Sequence, residues 1–98
     1  MSQLDQLRPE DFESLVGHSL PVEIPGGTVA CELTQVRRLP SHALRANPPF
    51  SFTLRGPRNQ PLGQGTHPLR HPEHGRLELF MVPIGPDGIG LCYEVTFN

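Results

Sequence analysis

The sequence contains no lysine and no tryptophan, has a single tyrosine and two cysteines, and has no apolar run of the 18 or so residues that would cross a bilayer. Each scarcity excludes something. Without such a run, and with a start MSQLDQLRPEDF that lacks a basic segment followed by an apolar one, neither a membrane-spanning helix nor a secretory leader is indicated, and a cytoplasmic location is expected. Cys31 and Cys92 are too few for a disulfide framework and have no CxxC spacing, so buried free thiols are expected. Few aromatics leave little to stack on nucleobases. Only Phe50, Phe52 and Tyr93 could do so, and the alternation around the phenylalanines turns them inward.

Acidic residues are missing over one long stretch. Residues 33–72 carry Arg37, Arg38, Arg45, Arg55, Arg58 and Arg70 and no Asp or Glu, while the flanks are acidic enough to bring the whole chain to −2. Such a segment is either an anion-binding patch, with Arg37, Arg55 and Arg58 as candidate interaction residues, or the outward side of strands that pair with Glu23, Glu32, Glu78 and Glu94. A net-acidic domain without exposed aromatics favours the second, and nucleic acid is not expected as a partner.

What the sequence does have is Leu, Ile, Val and Phe at 27 of 98 positions, enough to fold, and 22 Gly and Pro, which implies many turns. A domain of this size buries about 65% of its unfolded surface in one modest core. Residues 9–16 predict one short helix, with Pro9 at its start, acids in its first turn and Gly17 after its end, and Phe12, Leu15 and Val16 forming an apolar face. From there the period changes to two. Strands are predicted over about 20–24, 28–38, 50–55, 65–71, 76–84 and 90–97, the second with a bulge near Thr34-Gln35, the fourth weakened by Pro68, and the last two joined through Gly85-Pro86-Asp87-Gly88. No connection is long enough for a parallel crossover. The expected fold is mainly β: a single domain, residues 1–98, with six antiparallel strands in a small barrel or sandwich and one short N-terminal helix over an open end or face.

Three histidines within THPLRHPEH (66–74) raise the question of a metal. Pro68 and Pro72 exclude a helical HxxxH, and in a strand His67 and His71 stand about 13 Å apart, too far to share one ion. His71 and His74 remain weak candidate ligands across the turn; solvated turn histidines with no metal and no cofactor are the expectation. Gly63-Gln64-Gly65-Thr66 lacks the frame of a phosphate loop, and no serine sits in a nucleophile elbow. No catalytic residue is indicated, and an enzyme is not expected.

The strings PFSFTLRGP (49–57), HGRLELFMVPIGPDG (74–88) and YEVTFN (93–98), with Asp11-Phe12 and Leu15-Val16-Gly17 near the start, resemble a family of small bacterial domains of unknown function marked by FSLxFRGP, LFLVPIGP and YEAVFN-like motifs. The resemblance covers nearly the whole chain. In that family the gene often lies near genes for phage-tail-collar-like proteins, which implies an accessory role in a tail-like assembly. The position of His67 is usually aromatic there and that of His74 is not fixed, so the resemblance implies no shared metal site and supplies no catalytic residue. The reading that follows is a non-enzymatic interaction or assembly module; the alternative is a small-ligand or carbohydrate-binding β-barrel. Strand 76–83 supplies the interaction surface, because Leu77, Leu79 and Met81 occupy one face while Phe80 and Val82 occupy the other, and a two-turn helix of about 12 Å screens only part of that second face. Self-association or a protein partner is therefore expected.

Overall fold

A computed structural model describes residues 3–40 and 47–97; Arg45 lies outside them. Six antiparallel strands, β1 (Ser19–Ile24), β2 (Gly27–Arg38), β3 (Phe50–Gly56), β4 (Gly65–His71), β5 (Gly75–Pro86) and β6 (Leu91–Phe97), close into a barrel in the order β1-β2-β3-β6-β5-β4. The alternating pattern explains the closure. Val22, Leu33, Leu54, Leu69, Leu77 and Leu79 point inward and are fully or almost fully buried, and a barrel of so few strands has an interior that side chains fill. The anticipated bulge is present between Leu33 and Gln35 of β2, where the pairing to β3 shifts register. A second shift falls between Pro83 and Gly85 of β5.

The seam between β1 and β4 is the weakest pairing in the barrel. Its register consists of Val22 opposite Leu69 alone. Pro21 and Pro68 each precede a residue of that bridge, and neither has an N–H to offer. On one side of the bridge the strands part, and a groove of about 390 Å³ opens between Ser19–Pro21 and Arg70–Pro72.

The helix is shorter than expected. A single 3-10 turn, Gln3–Gln6, leads to α1 (Glu10–Glu13), after which the chain continues as turns instead of helix. Two contacts end it: Leu15 N–H bonds back three residues to the Phe12 carbonyl, and Gly17, at φ +92°, donates its N–H to the Leu33 carbonyl of β2. The predicted apolar face is split accordingly, since Phe12 is fully buried, Leu15 is half-buried and Val16 is 43% exposed. Nor does α1 lie over the outer side of β5. It plugs the barrel end at which β1, β3 and β5 begin, with the Phe12 ring stacked on Phe52 at 4.6 Å and against Phe50 and Phe97 at 5.9 and 6.1 Å. Leu62, from the loop between β3 and β4, closes the other end; its N–H donates to the Tyr93 hydroxyl at 2.8 Å.

Candidate interaction surface

The histidine cluster sits where β4 turns into β5. Period two places His71 on the inner face with Leu69, and its side chain is 4% exposed, so it is no solvated turn residue. Its Nε2–H donates to the Asp11 carbonyl of α1 at 2.7 Å, while Nδ1 accepts the N–H groups of Glu73 and His74 at 3.0 and 3.1 Å. Those three bonds fix the tautomer and commit both ring nitrogens. His74 meets the same residue from outside, with Nε2 at 3.1 Å from the Asp11 carboxylate, and the two imidazoles stand edge to face at 4.8 Å. Burial pushes the Asp11 carboxyl up, but the Arg8 N–H and His74 outweigh it and hold it below its ordinary value. The pair of weak metal candidates is thus brought together as a clasp between α1 and the β4–β5 turn. Among the described residues no three His, Cys, Asp or Glu side chains converge on a common point. His67 is apart from them, its ring donating to the Gly63 carbonyl at 2.7 Å.

Four described arginines of the acid-free segment meet carboxylates, though not Glu78, whose partner is Arg76 at 4.0 Å. Arg70 pairs with Glu23 at 3.2 Å, Arg55 with Glu32 at 3.0 Å and Arg37, more loosely, with Glu94 at 3.8 Å. Arg38 reaches Glu10 and Glu13 of α1. Of the three candidate interaction arginines, only Arg37 is well exposed and loosely held. Arg55 also binds Asp87 at 2.7 Å and is 22% exposed, which removes it from the available surface, and Arg58 donates to the Gly88 carbonyl. Asp87 itself accepts the N–H groups of Gly90 and Ile89; the Gly90 N–H, then Arg55, then the Ile89 N–H hold its carboxyl well below the usual carboxylate range. Sequence reasoning placed Asp87 in the turn and missed this brace, because Arg55 is 32 residues away.

Neither thiol is activated. Burial pushes Cys31 up to about 11, and burial followed by the Asp87 carboxylate raises Cys92. Both are free and buried, and a thiol kept protonated is a poor nucleophile. The aromatic candidates for base stacking, Phe50, Phe52 and Tyr93, are buried as well.

Apart from Val16, the exposed large apolar side chains among the described residues lie on β5 and the hairpin it leads into. Phe80 and Ile84 are each 53% exposed, Val82 between them is half-buried, and Ile89 at the hairpin tip is 71% exposed. Ile84 adds to the apolar face of β5 that Phe80 and Val82 announced, and Ile89 stands apart at the hairpin tip, where a Gly-Ile-Gly turn, with no core position for the isoleucine, was the available signal. No helix among the described residues is long and apolar enough to cross a membrane. Residues 7–97 match a family model described as a domain of unknown function. No curated protein and no solved structure matches the chain.

Proposed function

Because the chain belongs to the DUF6916 family, membership brings no reaction with it, and we propose that the domain is a non-enzymatic interaction module that binds protein through the outer face of β5. One observation carries this reading: Phe80 and Ile84 stay about half exposed on a strand whose inner face already fills the core. Apolar groups aligned in that way contribute little to folding and much to association when a partner covers them. The ion-paired arginines and the buried aromatics favour protein over nucleic acid as the partner. A ligand inside the barrel has less support, since the interior is taken up by its own side chains. The biological setting we attach is the accessory role in a phage-tail-like structure that the sequence resemblance implies.

The test is site-specific photocrosslinking in the source cell, with the probe at position 80 or, as a control, at position 8 on the far side of α1. The reading expects discrete crosslinked protein species from position 80 and not from position 8. Equal, diffuse labelling from both positions contradicts it.

A further inference from the structure

The β5–β6 hairpin tip is built more firmly than an idle surface turn requires. Asp87 Oδ1 accepts the Ile89 and Gly90 N–H groups at 2.9 and 3.0 Å, its Oδ2 takes Arg55 at 2.7 Å, and Arg58 clamps the Gly88 carbonyl at 2.7 Å. Gly90 is packed so closely that a Cβ there would lie 2.4 Å from the Gly56 carbonyl oxygen. All this order holds in place a largely exposed apolar side chain: Ile89, flanked by Gly88 and Gly90, is 71% exposed. An apolar knob fixed in advance loses little entropy when it enters a pocket.

A receptor of matching character lies at the opposite end of the same molecule. β1 begins and β4 ends where β5 begins, whereas the hairpin sits where β5 ends. There the parted strands leave the groove of about 390 Å³, lined by the apolar Leu15, Leu20, Pro21 and Pro72 together with His18, Ser19, Arg70 and His71, roomy enough for an isoleucine and its glycine neighbours. Charge does not oppose the approach, since Arg55 and Arg58 at the tip are balanced by Glu32 and Asp87, and Arg70 at the groove is paired with Glu23. Knob and groove lie at opposite barrel ends of one chain, whose longest dimension is 37 Å.

We infer that the Ile89 tip of one copy of this chain seats in the β1–β4 groove of a second copy. This rests on the reading that the domain binds protein through exposed apolar surface, and it names a second copy as one such partner. Knob and groove are different patches, so the contact is heterologous and propagates from copy to copy. A contact centred on one side chain is small, and small interfaces are weak and transient.

Sedimentation equilibrium of the intact chain tests it. The weight-average mass is expected to rise from the monomer's 10.8 kDa past that of a dimer as concentration increases through the micromolar range. Ile89→Asp, which removes the knob, and Ser19→Trp, which fills the groove, are each expected to be monomeric; both positions are exposed, so the fold is retained, and Ile89→Ser gives the same loss without a charge. Mixed together, the two monomeric variants should form a dimer and nothing larger, because one keeps its groove and the other its knob. A parent chain that stays monomeric, variants that associate as the parent does, or a mixture that stays monomeric overturns the inference. A monomeric parent that still crosslinks a different protein from position 80 overturns the self-contact and leaves the interaction reading standing.

Discussion

His71 shows how much a single side chain can organise. It is buried, its ring packs against Phe12 at 5.1 Å, and it satisfies two N–H groups of its own turn while holding the Asp11 carbonyl 60 residues away. Replacing it by alanine leaves those groups without their partner in a nearly dry site, and a loss of about 1–3 kcal/mol is expected from equilibrium denaturation. His74→Ala, at a more exposed position, should cost less than half of that. A change within about 0.5 kcal/mol for His71→Ala contradicts the clasp. Asp87 gives a pH signature at the same scale. Its folded-state carboxyl lies below the ordinary value of about 3.9, so its stabilising contribution is fully present above the unfolded value and is lost as pH falls towards the folded one. Asp87→Asn should therefore flatten the decline of stability below about pH 4, and a variant as acid-sensitive as the parent argues against the turn brace. Little of this was legible beforehand. The phase of Leu69 and His71 pointed inward, but Pro68 and Pro72 made the segment look like an exposed turn, and neither Asp11 nor Arg55 is a local neighbour of its partner.

Elements were far more legible than residues. Period-two alternation located four of the strands, and the turns around them the other two, to within about two residues, because a strand that buries one face cannot slip by one residue without turning its leucines outward. The bulge at Leu33–Gln35 showed as a break in that alternation. The helix misled in length because its end is set by tertiary contacts: the Gly17 N–H goes to β2 and α1 stops after one turn, with Val16 left outside. The β5–β6 hairpin yields the prediction at this scale. Gly90→Ala forces a Cβ against the Gly56 carbonyl, a backbone atom that cannot rotate away, so a destabilisation of about 1–3 kcal/mol is expected. Gly63→Ala is the control, since nothing lies within 4 Å of the added carbon. Equal melting temperatures for the two variants would mean the hairpin is loosely held.

For the whole molecule, closure of the barrel decides what is left for function. Strands paired on both sides and ends stopped by Phe12 and Leu62 bury nearly every large apolar residue, so the few that remain outside, Phe80, Ile84 and Ile89 above all, stand out against a surface of paired charges. The sequence showed that Phe80 and Val82 needed cover and assigned part of it to the helix; α1 instead lies across the barrel end, in the aromatic cluster, as contacts distant in sequence dictate. The most direct test of an interaction face on β5 is the crosslinking yield from a probe at position 82, compared between the parent and the double variant Phe80→Ser, Ile84→Ser at equal folded fraction. Both substituted side chains are half exposed, so the fold should persist while the yield to partner proteins falls at least about tenfold, the change that 1.4 kcal/mol of lost binding produces. An unchanged yield from the folded double variant contradicts the account.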